Sequence, residues 1–244
     1  MHRFYVPSRD IFSDRINICA KEQVHHIKNV LRLREKDKVT VFDDKGREYM
    51  TEIENISSQG ISLRIKDKRC IDTAKNIKLT IACAIPKKAK MEDIVDKLTQ
   101  LGVDRIIPLK TERTIVKTDA HKGARLLERW KKIALSAAEQ SQRSDIAAVD
   151  KVKGMKAVLS QAGDFDLKLI PTLMNERKPL KEIFINARPK NVLVFIGPEG
   201  DFTDEEVELA VKCGCIPVTL GDLVLRVDTA AVAVASFIKL YADD

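Results

Sequence analysis

The chain has 244 residues, 44% of them hydrophobic, and a net charge of +7. That length supports a sizeable core in one large domain or in a small one plus a medium one. With no run of 18 apolar residues and no signal-peptide pattern, a soluble cytoplasmic protein without membrane contact is expected. Five cysteines without a C-x-x-C pair argue against a disulfide scaffold. His2, His25, His26 and His121 lack metal-ligand spacing, so no metal is expected.

A strand at His2–Val6 opens the chain. Lys21–Leu31 carries Val24, Ile27, Val30 and Leu31 on one helical face. Strands at Lys38–Phe42, Glu48–Ile53 and Gly60–Ile65 follow, the first two joined by the turn Asp43-Asp44-Lys45-Gly46. Short strands with one small helix predict a compact β-barrel of about 70 residues, an architecture that often binds nucleic acid. Asp67–Lys75 reads as a linker, which gives an N-terminal domain over residues 1–72 and a second over 73–244.

From Asn76 the pattern changes. Strand Ile77–Ile85, amphipathic helix Lys88–Leu101, strand Asp104–Leu109, long helix His121–Ala138, strand Leu167–Leu173 and helix Leu180–Asn186 alternate. That alternation predicts an α/β domain with a doubly wound parallel sheet. Glu112-Arg113-Thr114, Glu139–Arg143 and Asn175-Glu176 lie just past element ends, where such a sheet builds its site; each alone is equally a solvated loop. No Ser/His/Asp or Cys/His arrangement stands out, so an enzyme with this sequence positions reactants rather than forming a covalent intermediate.

The last fifty residues organise the rest. Asn191–Ile196 contains an unbroken apolar run, which suits a parallel strand covered on both faces. Gly197-Pro198-Glu199-Gly200 then turns into a helix that Thr203 and Glu206 cap as a capping box from Asp204. Asp201, Asp204, Glu205 and Glu206 crowd this helix start and repel a phosphate, and the turn lacks G-x-G-x-x-G. The turn is either a bare strand-to-helix connection or the site of a nucleoside-like ligand without phosphates, for which S-adenosylmethionine fits. A second strand, Cys215–Leu220, leads to a second turn, Gly221–Val227, and an alanine-rich buried helix. Asp228 or Thr229 is the expected cap of that helix, and Asp228 or a carboxylate of the first turn the expected ion-pair partner of Arg226.

Charge is spread unevenly. Residues 1–72 carry +3, residues 73–132 carry +8, and residues 133–244 carry −4. The concentrated basic block favours a polyanion such as RNA or DNA; solvated helix faces are the plainer alternative.

Lys97–Val103, Glu112-Arg113, Ala138-Glu139-Gln140-Ser141, Gly197-Pro198-Glu199-Gly200, and Leu220-Gly221 through Leu225-Arg226 to Thr229-Ala230 occur in an ordered set. With the opening Arg3-Phe4-Tyr5, this set resembles the RsmE methyltransferases of the SPOUT class over nearly the whole chain. The resemblance implies a PUA-like RNA-binding barrel, then a SPOUT domain with a trefoil knot, an exception to the rule that chains are unknotted. It implies a homodimer that binds S-adenosylmethionine and methylates N3 of one uridine in 16S ribosomal RNA of the small subunit. Leu173, Gly197, Glu199, Gly200, Leu220, Gly221, Leu225 and Arg226 are then the cofactor-binding residues. Arg226 is also the catalytic cation, stabilising the developing uridinate. Glu139 and Glu176 are candidate bases, and Arg3, Arg113, Arg129 and Arg143 the RNA phosphate contacts. The family pattern has Gly-Gly after Pro-Glu and Arg-Thr-Glu-Thr-Ala at the second turn; here the residues are Gly200-Asp201 and Arg226-Val227-Asp228-Thr229-Ala230. The alternatives are a SPOUT methyltransferase acting on another RNA, and a non-catalytic RNA-binding ribosome-assembly protein.

Overall fold

Alternation of buried and exposed side chains builds the first sheet. The computed structural model describes residues 2–57, 59–70, 77–87, 91–114, 120–174, 177–186 and 188–242. Strands β1 (Arg3–Tyr5), β2 (Arg15–Ile18), β3 (Lys38–Phe42), β4 (Arg47–Ile56) and β5 (Ile61–Cys70) pair in the order β1-β3-β4-β5-β2. β1 runs parallel to β3 and the other pairs are antiparallel, so the expected barrel takes the form of a curled half-barrel. Ile16 and Ile18 of β2, Val39 and Val41 of β3, Ile53 of β4 and Leu63 of β5 point into one core. Helix α1 (Lys21–His25) continues into a π-turn over His26–Val30, which buries Ile27 in that core.

The first hairpin depends on one buried carboxylate. Asp43 is 1% exposed. Its Oδ1 accepts the Lys45 and Arg47 N–H groups (2.8 and 3.0 Å), and its Oδ2 accepts the Tyr49 hydroxyl (3.2 Å). This is the Asx geometry that makes aspartate a turn former.

Two expectations are corrected in this sheet. The supposed linker begins as strand, because Asp67–Cys70 extends β5 opposite Arg47–Met50 after a register shift at Met50/Thr51. Its side chains are exposed, and a polar strand with no buried face resembles a linker in composition. Residues 71–75 of that linker lie outside the described residues. β2 was not expected; its signal is only the alternation of Ile16 and Ile18, too short to stand out.

The remaining elements form an eight-stranded sheet. In chain order they are β6 (Lys78–Ala84), α2 (Met91–Gln100), β7 (Arg105–Lys110), α3 (Ala120–Gln140), β8 (Ala148–Val149), β9 (Lys153–Gly154) and α4 (Met155–Leu159). Then come β10 (Leu167–Pro171), β11 (Lys178–Pro179), α5 (Leu180–Asn186), β12 (Asn191–Ile196), α6 (Asp204–Lys212), β13 (Ile216–Thr219) and α7 (Val227–Ala242). The order is β11-β13-β10-β12-β6-β7-β8, with β9 also on β7, and every pair is parallel.

The chain divides into two compact units. The first comprises Met1–Ala74 and Ala138–Ile146, the second Lys75–Ala137 and Ala147–Asp244.

β12 sits between β10 and β6 and is buried on both faces, as its continuous apolar run requires. Leu193 and Phe195 join a core with Met155, Val158 and Leu159 of α4 and Val207 and Ala210 of α6. α7 packs against α2, β6 and β12. Among the described residues no helix is long and apolar enough to cross a membrane, and no cluster of three metal-ligating side chains occurs.

Phe195 is fully buried beside Phe202 in that core. Phe195→Ala is expected to cost about 3–5 kcal/mol of stability, measured by urea unfolding.

A candidate ligand cleft at the strand ends

All the strands of the second sheet point their carboxyl ends the same way, so the loops that follow them converge. Three of these loops meet: Thr172-Leu173 after β10, Gly197–Asp201 after β12, and Leu220–Leu225 after β13. With the first turn of α7 they enclose an open cleft with about 610 Å³ of free space including its mouth.

The β12 turn is fixed from several sides. Gly197 tolerates no side chain without adjustment, since a Cβ there would meet the Phe202 ring at 3.1 Å and Asp201 Oδ1 at 3.3 Å. Asp201 takes the left-handed conformation, φ +60°. Its Oδ1 accepts the Phe202 N–H (2.8 Å), while its Oδ2 accepts the Leu173 N–H (2.7 Å) and the Thr172 hydroxyl (3.1 Å). Glu199 Oε1 accepts the Lys87 N–H at 2.8 Å. Arg113 donates to the carbonyls of Gly200 and Phe202.

The expected capping box is present, and α6 begins at Asp204 as expected. Glu206 extends it: Oε2 accepts the Thr203 N–H (3.1 Å) and Oε1 the Glu112 N–H (2.9 Å), although the residue is only 8% exposed. The start of α6 thus carries Asp204, Glu205 and Glu206 and repels a phosphate.

At the second turn, Gly221 has φ +119°, a conformation glycine adopts without strain. α7 starts one residue before the expected cap Asp228. Arg226 therefore occupies the cap position, its carbonyl accepting the Ala230 N–H at 2.8 Å. Asp228 sits in the first helical turn, where its charge favours the helix dipole, and its Oδ1 is buried without a hydrogen-bond partner. Arg226 is exposed and forms no ion pair among the described residues, so the expected pairing with Asp228 or a first-turn carboxylate is not made.

Nearby thiols are inert. Burial, with Asp228 and Glu199 close by, pushes the Cys83 thiol far above its ordinary range. Burial and Cys213 push Cys215 up to about 12. Neither is a thiolate near neutrality, which leaves nucleophilic cysteine chemistry without a candidate in this pair.

An RNA methyltransferase domain model matches residues 73–239, and an RNA methyltransferase PUA domain model matches residues 20–66. Ribosomal RNA small subunit methyltransferase E of Bacillus subtilis is 33% identical over 223 residues, covering 89% of this chain and 87% of its own. The chain belongs to this methyltransferase family. A Legionella pneumophila methyltransferase solved in complex with the cofactor SAM is 30% identical with a TM-score of 0.87, covering 99% of this chain and 98% of its own. The Neisseria gonorrhoeae ribosomal RNA small subunit methyltransferase E, solved bound to S-adenosyl methionine, is 28% identical with a TM-score of 0.85 over 99% and 98% of the two chains.

Of the residues expected in this methyltransferase to hold a cofactor, Leu173, Gly197, Glu199, Leu220, Gly221 and Leu225 line the cleft. Gly200 and Arg226 adjoin lining residues without lining it themselves. Thr172, Arg177 and Asp201 line it and were not expected. Thr172 and Arg177 carry no sequence signal that separates them from ordinary loop residues, and Asp201 stands out only as an added charge beside the turn. Arg177 reaches the cleft by donating to the Thr172 carbonyl at 3.1 Å.

The four arginines expected to meet RNA phosphates already have protein partners. Arg3 pairs with Glu48 and donates to the Arg143 carbonyl (3.1 Å) and Ser144 Oγ (2.9 Å). Arg143 pairs with Asp145 at 2.8 Å, and the Arg3 and Arg143 side chains are each only 10% exposed. Arg129 pairs with Glu92 at 3.2 Å but stays largely exposed, and Arg113 braces the β12 turn. Arg129 alone of the four combines high exposure with a location on a helix face. Of the candidate bases, Glu176 lies outside the described residues. Glu139 belongs to the first unit, where it accepts the Tyr5 N–H (2.9 Å) and Gln23 Nε2–H (3.3 Å).

Burial raises the Glu139 carboxyl above its ordinary 4.5, opposed by the bonds from Tyr5 and Gln23 and by His26. The folded state thus holds this proton more tightly than the unfolded state. That contribution is complete below 4.5 and is lost as pH rises through the raised value. Urea unfolding of Glu139→Gln and the parent at pH 4 and pH 7 should show the difference moving in favour of glutamine at pH 7. An unchanged difference would refute the assignment.

Proposed function

We propose that this protein is an S-adenosylmethionine-dependent methyltransferase that methylates N3 of a specific uridine in 16S ribosomal RNA of the small ribosomal subunit. It works as a cytoplasmic homodimer, without a metal. Residues 1–72 form the RNA-binding PUA-like domain and residues 73–244 the SPOUT domain, with a trefoil knot around the β12 and β13 turns.

The observation that carries the reading is the cleft itself. Backbone of Gly197 and Gly221 with the apolar side chains of Leu220 and Leu225 suits an adenosine, and the acidic α6 start disfavours phosphates. The cofactors bound to the Legionella and Neisseria relatives agree with it. S-Adenosylmethionine supplies an electrophilic methyl group and leaves as S-adenosylhomocysteine.

The chain's part is to hold and polarise the uridine. N3 must lose its proton before or as it attacks, and negative charge then spreads over the uracil N3 and its carbonyl oxygens. Arg226 lies at the start of α7 between two cleft-lining residues, Leu225 and Val227. In this reading its guanidinium stabilises that charge electrostatically, and no carboxylate pairs with it among the described residues. Arg129 is the best exposed of the expected phosphate contacts.

Arg226→Ala is expected to reduce methyl transfer to small-subunit RNA by about 100-fold or more while leaving thermal unfolding unchanged. Near-parent turnover would remove the role. Calorimetric titration should show saturable binding of S-adenosylmethionine and none of ATP or NAD; the reverse order would overturn the ligand assignment.

A further inference from the structure

The structure assigns Asp201 a positioning role: its carboxylate fastens the β10 loop to the β12 turn and so sets the shape of the ligand cleft. This rests on the cofactor reading above and adds a residue to it. Asp201, Thr172 and Leu173 all line the cleft, yet they come from two loops 28 or 29 residues apart in sequence. One oxygen of the carboxylate takes both bonds from the β10 loop, at 2.7 and 3.1 Å. The other takes the N–H of Phe202 at 2.8 Å, and the Phe202 ring would meet any Cβ placed on Gly197 at 3.1 Å. The carboxylate thus ties together both walls of the cleft and the turn's own exit.

Two further facts support a built device rather than an incidental contact. Asp201 holds the left-handed conformation that favours glycine and that aspartate and asparagine tolerate better than most residues. Thr172 is 6% exposed, so its hydroxyl has little access to water and depends on protein partners. It donates to Asp201 and accepts the Met174 N–H at 3.3 Å, which carries the constraint one residue further along the β10 loop.

A positioning role of this kind predicts a change in ligand affinity larger than any change in the chemical step. A fastened cleft is already in its binding shape, and a loosened one must be ordered by the ligand. Asp201→Asn keeps size and left-handed tolerance but removes the charge and replaces one accepting oxygen with an NH2 donor. Asp201→Gly keeps the backbone and removes the fastening altogether.

The test uses the full-length protein with S-adenosylmethionine as the titrated probe. Calorimetry would give Kd, and steady-state methylation of small-subunit RNA would give KM and kcat. Both variants should weaken S-adenosylmethionine binding about tenfold and raise its KM in parallel, as loss of charge-assisted bonds to a buried partner implies. At saturating cofactor kcat should change by less than about twofold, a split that general destabilisation does not produce. Thr172→Val should weaken binding in the same direction and Thr172→Ser should restore it. Asp201→Asn combined with Thr172→Val should weaken binding by less than the sum of the two single effects, because the substitutions share the Thr172–Asp201 bond. If the parent fails to bind S-adenosylmethionine, the cofactor reading falls and this inference falls with it. If the parent binds and folded Asp201→Asn binds equally well, or the two substitutions prove additive, only the positioning role is overturned.

Discussion

A strand buried on both faces has no place for polar groups except its ends. β12 is such a strand, apolar from Val192 to Ile196 and enclosed by neighbouring strands and by helices. The parallel ladder to β6 runs its whole length, and the ladder to β10 covers Val192–Val194. The chain leaves the sheet at Gly197, and the peptide groups that follow need side-chain partners. Asp201, Glu206 and Thr203 accept the N–H groups of Phe202, Thr203 and Glu206, and Arg113 donates to the carbonyls of Gly200 and Phe202. The rigidity of the candidate site is a consequence of the apolar strand behind it.

That arrangement divides the chemistry by position. The acidic groups around the β12 turn face structural partners: Asp201 accepts amides and a hydroxyl, Glu206 accepts amides, and Glu199 accepts the Lys87 amide. The cation at the second turn, Arg226, is exposed and carries no ion pair among the described residues.

Much of this was legible in the residues. β3, α5 and β12 fall on their expected bounds, and the capping box fixes the start of α6, because each rests on a local pattern that tertiary contacts reinforce. Six of the eight expected cofactor residues line the cleft, since glycine turns after apolar strands are visible in sequence. What was not legible depends on partners distant in the chain. Asp201 looked like a charge misplaced beside a ligand, and only the approach of Thr172 and Leu173 shows what it does. Arg3 and Arg143 looked like free cations, but Glu48, Asp145 and Ser144 engage them. Short elements such as β2 and α4 span too few residues for periodicity to reveal them.

The tract Ala138–Ile146 belongs with the first unit although it is separated from it by sixty-odd residues of the second. It contributes Glu139 to the Tyr5 amide and Arg143 and Ser144 to the Arg3 guanidinium. The chain passes between the units three times. A fragment cut after residue 72 would leave the Tyr5 amide and the Arg3 guanidinium without these acceptors.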